Sequence, residues 1–438
     1  MAIPETSGRF ELMAQEMEGS LRRHVMDAWF PRCLDVERGG FHSNFDRQWR
    51  LGASTDRMLE FQARQTRVAA RLAIAYPAEG RWQEYALHGF RALRDMWDTA
   101  HGGWYWMVGN DGQPTAGGSK HSHSGAYTVQ ACALVFRATG ERGALALGEE
   151  GLAWHDRFAH DEEFGGFHNW LTREGEVIGR RGQAPEGAGR LDPMGHDVGL
   201  KDINTHGDFF EALLDLTAVS DSRRARELLV EFGRIFMDKA TTPGGEVHYA
   251  FHPNWMPQPG PEWYGYGFQA AQRFLESAHL LPEVPGLKSR GKVVLDHTLR
   301  ISRRRDGGFA YAGPGGEPPT MEGTKMRVTG RLWWVQFEAM RALALFRAEN
   351  PDNGTYERLL GAQWRFLQRN LLDEKFGGVY FRPSGDLGRW SRPWMPIGRW
   401  AFRKGSNWKD ASHETASLLG AITALRGTGV KTFEPLTR

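Results

Sequence analysis

Six copies of a Gly-Gly turn followed by aromatic or β-forming residues divide the chain at nearly regular intervals. They read GGF at 39–41, GGWYW at 102–106, GGFHNW at 165–170, GGEVHY at 244–249, GGFAY at 307–311 and GGVYF at 377–381. The spacings between their first glycines are 63, 63, 79, 63 and 70 residues. Paired glycines permit a tight turn with positive φ, and the residues after them predict a short strand. The sequence therefore predicts a fold of six repeats.

Apolar residues at helical spacing predict two helices for each repeat. The twelve predicted helices span 10–30, 58–76, 81–98, 120–139, 141–158, 203–219, 221–238, 265–281, 285–301, 328–348, 354–371 and 409–426. Six helical hairpins can stack as an open solenoid or close into a ring. An open array needs polar caps, whereas the last predicted helix is rich in small and apolar residues. We therefore predict an all-α (α/α)6 barrel, a single domain over 1–438, with one central pocket.

Composition narrows the class of protein further. A formal net charge of +2 gives no electrostatic reason to expect nucleic acid or an anionic membrane as a partner. The polar N-terminus is unlike a secretory signal, no apolar run is long enough to span a bilayer, and Cys33 and Cys132 form no ligand pattern, so we expect a cytoplasmic protein. The 17 Trp, 25 Phe and 10 Tyr favour an aromatic cleft, which is typical of sugar binding.

Four segments carry a resemblance to a known family. They are FQARQTRVAARLA (61–73), NTHGDFFEALLDL (204–216), RLWWVQFEAMRALA (331–344) and KGSNWKDASHETA (404–416). In this order they resemble the N-acylglucosamine 2-epimerase superfamily, which includes cellobiose 2-epimerases, mannose isomerases and sulfoquinovose isomerases. The resemblance implies an (α/α)6 barrel that opens a sugar ring, removes the C2 proton and forms a cis-enediolate, with no cofactor and no metal.

The resemblance also implies roles for individual residues. His413 matches the C-terminal histidine that serves as acid or base, and imidazole suits proton transfer near neutral pH. Arg64 matches an arginine that binds sugar oxygens, where a guanidinium can stabilise a developing oxyanion. Trp334 and Trp408 match aromatic platforms for the substrate. Glu338, which lies four residues after Trp334 on the same predicted helix face, matches an acidic residue that binds substrate.

The sequence departs from the family pattern at two positions. The family pattern N-x-x-x-H-x-x-E-A places a histidine where this chain has Asp208, although His206 lies two residues earlier. The family pattern G-H-x-x-E meets Tyr266 in place of the histidine and Gln269 in place of the glutamate. We treat Asp208, Tyr266 and His206 as candidate acid–base residues, because burial can raise a carboxyl pKa toward neutrality. Gln269 is a candidate for hydrogen bonding to a sugar hydroxyl.

The local pattern around Asp208 also fits a purely structural role. Thr205 is a plausible N-cap, and an acid at the third helical position after it would suit the helix dipole. His196, Asp197, Asp202, His206 and Asp208 fall within thirteen residues, but their spacing matches no standard metal site. No metal site is therefore predicted from them.

We predict a sugar isomerase or epimerase that acts on a small-molecule sugar as a monomer or homodimer. One base on one face of the sugar is enough for isomerisation between C1 and C2, whereas 2-epimerisation needs groups on both faces. Two other classes stay open at this point. One is a glycoside hydrolase or lyase on the same toroid, with a carboxylate such as Asp208 as acid or base. The other is a sugar-binding protein that has lost its chemistry.

Overall fold

The computed structural model describes residues 5–53, 56–185, 191–193, 195–314, 329–383, 385–386 and 402–427. Within these ranges twelve long helices follow one another, which confirms the predicted number. They are α1 (Glu5–Leu21), α2 (Leu59–Ala75), α3 (Arg81–Asp95), α4 (Ser122–Thr139), α5 (Arg142–Phe158), α6 (Ile203–Thr217), α7 (Arg223–Ile235), α8 (Tyr264–Ser277), α9 (Leu287–Ser302), α10 (Trp333–Glu349), α11 (Gly354–Asn370) and α12 (Ser412–Arg426). None of these helices is long and apolar enough to cross a membrane.

Even-numbered helices form an inner ring, and odd-numbered helices form an outer ring around it. In α2, 15 of 17 residues are buried, including polar ones such as Gln65. By contrast, α7 buries a single apolar face that includes Leu228 and Phe232, and it exposes its charged residues. A helix that is buried on all sides belongs inside a fold, and an amphipathic helix belongs at its surface. The alternation therefore follows from the sequence of each helix.

The inner helices close into a ring. Each packs against its neighbours in chain order, from α2 through α12, and α12 packs back against α2. The first outer helix, α1, also packs against α12, so the two ends of the described chain meet. These contacts confirm the predicted (α/α)6 barrel, and the open solenoid is wrong.

The Gly-Gly elements form the predicted turns. Each one closes a hairpin through an isolated bridge, such as Trp97 to Trp104 and His160 to Phe167. Eleven of the twelve glycines have positive φ, and Gly244 is the exception. At Gly103 a Cβ would lie 2.8 Å from the ring of Trp154, so both backbone conformation and close packing require glycine.

Four two-stranded antiparallel sheets align the inner helices. Strand β1 (Arg57–Met58) pairs with β2 (Met107–Val108), β3 (Lys120–His121) with β4 (Trp170–Leu171), β5 (Lys201–Asp202) with β6 (Ala250–Phe251), and β7 (Glu262–Trp263) with β8 (Ala312–Gly313). The first strand of each pair leads directly into an inner helix, namely α2, α4, α6 or α8. The sheets therefore hold the N-terminal ends of these helices at one end of the ring.

Three buried lysines link the Gly-Gly hairpins to the inner helices through ion pairs. Each lysine lies just before or near the start of an inner helix, and its ammonium pairs with an aspartate four residues before a Gly-Gly turn. The pairs are Lys120 with Asp98 at 3.3 Å, Lys201 with Asp161 at 2.7 Å, and Lys404 with Asp373 at 2.8 Å. A buried lysine is tolerated only with such a partner, so these pairs are part of the repeat. The sequence pattern alone did not predict them.

Candidate active site

The N-terminal turns of the six inner helices surround a pocket, which we call the upper pocket. Its empty volume is about 540 Å³. Its described lining residues are mostly aromatic or uncharged: Arg64, Tyr127, Asn204, Tyr266, Gln269, Tyr311, Leu332, Trp333, Trp334, Phe381, Trp408 and His413. Helix N-termini carry partial positive charge, so six of them around one cavity favour a species that becomes anionic during reaction.

A second, charged cavity lies about one helical turn deeper, and we call it the lower chamber. It shares Tyr127, Gln269 and His413 with the upper pocket. Its other described lining residues are Arg67, Asp208, Glu211, Gln272, Arg273, Glu276, Glu338, Arg341, Ser412 and Ala416. Most of its charges are paired, as in the 2.7 Å contact between Arg341 and Glu276. The upper pocket is thus lined mainly by aromatic side chains, and the lower chamber beneath it is lined mainly by charged ones.

His413 stands at the boundary of the two cavities, in the first turn of α12. Its side chain is 16% exposed, and its Nδ1 lies 2.7 Å from Oε1 of Glu338. A carboxylate accepts this bond, so Nδ1 carries the proton and Nε2 is left for a ligand. The ring of Trp334 packs on the imidazole at 5.6 Å between centroids. The structure therefore places His413 in the pocket as the resemblance implied.

Glu338 lies below His413, on α10. Its other oxygen, Oε2, accepts a hydrogen bond from Gln272 at 3.0 Å. Burial acts to raise the pKa of Glu338, but the hydrogen bond and charge of His413, together with Arg341 and Gln272, outweigh burial and lower that pKa below its ordinary value. The predicted substrate-binding residue lines the lower chamber and not the upper pocket. Its geometry is that of a group that orients His413.

Arg64 lies in the wall of the upper pocket, on the second turn of α2. Its guanidinium is 3.6 Å from Asp410 and lies over the ring of Tyr127, at 4.3 Å from the centroid. Its Nε has no hydrogen-bond partner among the described residues. A buried guanidinium with an unused N–H beside a cavity can bind an oxygen of a ligand.

The two predicted platforms, Trp334 and Trp408, both line the upper pocket and are partly exposed. Trp334 packs on His413, while Trp408 lies 5.9 Å from the guanidinium of Arg64. The position of Trp334 depends on Gly265, because a Cβ there would come within 2.1 Å of its ring. Partly exposed aromatic faces of this kind can bind a pyranose.

Asp208 is buried and lines only the lower chamber. Its carboxylate contacts Arg273 at 2.8 Å and His123 at 3.0 Å. Burial acts to raise its pKa, but His123 and Arg273 outweigh burial and lower it. The expectation that burial would bring this carboxyl toward neutrality is therefore wrong, because its ion pairs dominate. Asp208 is a fixed anion.

The start of α6 also differs from the expectation. Asp202 caps the helix by accepting a hydrogen bond from the Thr205 amide at 2.7 Å. Thr205 is therefore inside the first turn and is not the N-cap. As a consequence Asp208 lies in the second turn, where it points into the ring and does not serve a capping box.

Tyr266 and Gln269 are in the upper pocket as the family pattern implied. Tyr266 packs between Tyr249 and Trp334, at 5.0 and 5.4 Å between centroids. Burial raises its pKa well above the ordinary value, so the hydroxyl keeps its proton and is not a base near neutral pH. The Oε1 of Gln269 has no hydrogen-bond partner among the described residues and is free to accept one from a ligand.

His206 does not reach the pocket. Its Nδ1 bonds to the carbonyl oxygen of Asp202 at 2.7 Å, and its Nε2 accepts the amide of Phe167 at 2.9 Å. The side chain is fully buried, and burial lowers its pKa to about 4. Nε2 thus holds the adjoining hairpin to α6 and Nδ1 is bonded to the N-cap residue of the same helix, so the structure does not support a catalytic position for His206.

Several residues that line the pocket or lie directly behind its wall were missed in the sequence. Asn204 has an unpartnered, buried Nδ2 at the pocket, and it is the asparagine that opens the family pattern, so it could have been found. Tyr311 is the last residue of the GGFAY element and lines the upper pocket. Residues on connecting loops and hairpins often line binding sites. Tyr127 and His123 lie on α4, for which neither a repeat nor a family motif gave a signal.

The acidic stretch at 196–208 is not assembled into a metal site. Asp202 caps α6, His206 faces a hairpin, and Asp208 points into the lower chamber. Only His196 lies near Asp202, at 3.8 Å. The five side chains therefore serve different parts of the structure.

Another trio comes closer to a metal site among the described residues. Donor atoms of Glu60, His121 and His123 lie within 4.8 Å of one another. However, Nδ1 of His121 accepts the backbone amide of His123, and both oxygens of Glu60 face the indole N–H of Trp106. His123 also contacts Asp208 through its other nitrogen. Nε2 of His121 and both ring nitrogens of His123 have no hydrogen-bond partner among the described residues. Carboxylates of Glu60 and Asp208 nevertheless face the two ring nitrogens of His123, and carboxylates accept, so this ring is suited to carry N–H groups and we assign no metal here.

Comparison with known proteins agrees with this architecture. Residues 39–186 match the family model described as N-acylglucosamine 2-epimerase (GlcNAc 2-epimerase). A cellobiose 2-epimerase from Bacteroides fragilis is 26% identical over 395 residues, which cover 86% of this chain and 93% of that protein. The structure of a cellobiose 2-epimerase from Spirochaeta thermophila superposes with a TM-score of 0.80 at 22% identity, covering 97% of this chain and 99% of that one. A D-mannose isomerase structure gives 0.74 at 17% identity, covering 97% and 100%.

Proposed function

We propose that this chain, a divergent member of the N-acylglucosamine 2-epimerase superfamily, is a carbohydrate isomerase or epimerase that acts at C1 and C2 of an aldose without a cofactor. The observation that carries the proposal is the 2.7 Å contact between His413 and Glu338 at the floor of an aromatic pocket. It fixes the tautomer of His413 so that Nε2 can take and return a proton. Trp334 and Trp408 supply surfaces for a sugar ring.

In the proposed reaction His413 removes the C2 proton of the ring-opened sugar. A cis-enediolate forms, and Arg64 together with the N-termini of the inner helices stabilises its negative charge. His413 then delivers the proton to C1 while the O2 hydroxyl proton passes to O1, which gives a ketose; return of the proton to C2 on the same face regenerates the starting aldose. The unpartnered polar atoms of Asn204 and Gln269 orient the sugar hydroxyls. Every step is a proton transfer or a hydrogen bond made by the chain itself.

The charges around the pocket favour isomerisation over 2-epimerisation. Epimerisation needs a second proton carrier on the opposite face of C2. Asp208 is held as an anion by Arg273 and His123, and Tyr266 keeps its proton because burial raises its pKa. His413 is the one imidazole among the described lining residues of the upper pocket, so in the proposed reaction the proton moves on one face between C2 and C1.

The hydrolase alternative finds less support. Glycoside hydrolases commonly place two carboxyl groups on either side of the scissile bond. Among the described residues no carboxylate lines the upper pocket. Two candidates, Asp208 and Glu338, lie one turn deeper and are engaged by Arg273 and His413. A two-carboxylate mechanism would need both of them to reach a substrate above.

The test is incubation of the protein with cellobiose, mannose, glucose and fructose in D2O, followed by NMR. Deuterium at C2 of an aldose or at C1 of a ketose, together with ketose or 2-epimer formation, supports the proposal, and the ratio of the two products separates isomerisation from epimerisation. His413→Gln is the matched control, and it should leave the sugar unlabelled. Release of a shorter sugar without exchange at C2 would replace the proposal with hydrolysis. Saturable binding with no exchange or product from any of the sugars would indicate a binding protein.

A further inference from the structure

His123, on the first turn of α4, lies between two carboxylates on two other inner elements. Its Nδ1 is 3.5 Å from Oε1 of Glu60 on α2, and its Nε2 is 3.0 Å from Oδ2 of Asp208 on α6. The imidazole and the Glu60 side chain are fully buried. The ring also packs near two pocket residues, Tyr127 at 5.0 Å and Trp408 at 6.4 Å. His123 is thus one layer behind the wall of the upper pocket.

The charged and titratable groups around His123 come from every element packed against it. They are Glu60, Arg64 and Arg67 from α2, His121 from β3, Tyr127 from α4, Asp208 and Glu211 from α6 with Arg273 from α8, and Asp410 from the segment before α12. Asp208 pairs with Arg273, and Asp410 pairs with Arg64, whereas Glu60 has His123 as its one ion-pair partner among the described residues. A buried carboxylate without a cationic partner is costly, and a proton on His123 compensates Glu60.

We propose that His123 is a buried imidazolium that compensates the negative charge of Glu60 and Asp208. It thereby acts as a positioning residue for Arg64 in the wall of the upper pocket. When His123 is charged, it compensates the negative charge of Asp208 and Glu60. The positive electrostatic potential of Arg64 is then not cancelled by these carboxylates and acts on the ligand oxygens. Without that proton, the excess negative charge lies behind the position where an enediolate would form. The activity readout rests on the proposed function, but the charge state of His123 does not.

Two observations support a proton as the bridging group. Burial acts to lower the pKa of His123, yet the two carboxylates, Asp208 first, outweigh burial and raise it above its ordinary value. In addition, a carboxylate oxygen faces each ring nitrogen of His123, at 3.5 Å from Nδ1 and 3.0 Å from Nε2. A carboxylate accepts hydrogen bonds, so both nitrogens are placed to carry a proton.

The first experiment follows the imidazole of His123 by ¹⁵N NMR in the wild-type protein as pH rises from 6 to 10. We expect both ring nitrogens to stay protonated above pH 7. His155 is the matched control, because it is also fully buried but has only a backbone partner, the carbonyl of Gly151. It should be neutral over the whole range, since burial lowers its pKa to about 4. A neutral His123 at pH 7, or one equivalent of tightly bound metal by elemental analysis, would overturn the proposal.

The second experiment tests the charge balance by compensation. His123→Gln should lower kcat about tenfold, because it leaves one carboxylate in excess beside Arg64. Adding Glu60→Gln removes that excess charge, so the double variant should recover most of the lost activity, which a merely structural role of His123 does not predict. His155→Gln, combined with Glu60→Gln, should show no such recovery. A double variant as poor as the product of the two single effects would contradict the proposal.

The two experiments separate the possible failures. If the wild-type protein converts none of the sugars, the proposed function fails, while the NMR titration still decides whether His123 is charged. If His123→Gln does not fold, the titration of the wild-type protein still provides the answer. A titration that shows a charged His123, together with sugar turnover and no compensation by Glu60→Gln, would keep the charge but reject its role behind Arg64.

Discussion

His413 and His123 each pair with a carboxylate across two inner helices, yet the structure uses them differently. His413 contacts Glu338 at 2.7 Å, and His123 contacts Asp208 at 3.0 Å. His413 is 16% exposed at the pocket and has one carboxylate partner, so one nitrogen is left for a ligand. His123 is fully buried, and Glu60 faces its second nitrogen. Exposure to the pocket therefore separates the two roles. The His413–Glu338 pair can exchange protons with a sugar, whereas the His123–Asp208 pair can only change the local electrostatic potential.

The largest expected effect is at His413. His413→Ala should lower kcat by about 10³-fold, because general acid–base catalysis contributes roughly 10²–10⁴-fold. Folding should be nearly unchanged, since the side chain is partly exposed at a cavity. Steady-state kinetics and thermal melting of the variant measure the two effects. Wild-type turnover in His413→Ala would contradict the catalytic role that distinguishes His413 from His123.

Glu338→Gln should have the next largest effect. The amide oxygen can still accept the hydrogen bond from His413, whereas the –NH2 group that replaces Oε2 cannot accept from Gln272. The negative charge that favours the protonated imidazole is also lost. We expect kcat to fall about 10- to 100-fold, with little change in KM. A rise in KM with unchanged kcat would instead place Glu338 among the groups that bind sugar, as the family resemblance implied.

Gly265→Ala tests the platform next to His413. The new methyl group would lie 2.1 Å from the ring of Trp334 and must displace it. We expect KM to rise about tenfold, which equals about 1.4 kcal/mol of binding, with a smaller change in kcat. Gly260→Ala is the matched control, because a Cβ there meets no atom within 4 Å. Equal effects of the two substitutions would show that Trp334 is not a platform.

The smallest expected effects are opposite slopes of stability with pH. The pKa of His206 is lowered to about 4. Its contribution to the free energy of unfolding is therefore present above pH 6.5 and is lost as pH falls toward 4. The pKa of His123 is raised, so its contribution is present below pH 6.5 and is lost as pH rises through the raised value. Each slope is at most about 1.4 kcal/mol per pH unit. Urea unfolding of His206→Gln and His123→Gln at several pH values measures both, and slopes of the same sign would contradict the assignment.

Much of the fold could be predicted from the sequence, because its signals are local and repeated. Helical periodicity and paired glycines depend on neighbours within a few residues, and together they gave the twelve helices and the closed ring. The pocket positions of His413, Arg64, Trp334 and Trp408 followed from motifs that match the family in order. The single domain, the oligomeric state and the cytoplasmic location stay predictions.

The errors arose where a side chain depends on partners distant in sequence. The role assigned to His206 failed because the Phe167 amide, on another repeat, occupies its Nε2. The expected pKa of Asp208 had the wrong direction because Arg273 and His123 come from two other helices. No pattern within α6 contains that information.

The sequence by itself determined the repeat, the alternation of inner and outer helices and the family motifs, since each is encoded in a short stretch of chain. In NTHGDFFEA, it also determined that a carboxylate stands at position 208. Only the tertiary structure decided what that carboxylate does. Closing the ring brings His123 and Arg273 to Asp208, and in a buried site the nearest charges determine which groups hold a proton. The same closure leaves His413 at the pocket with one nitrogen available for a ligand.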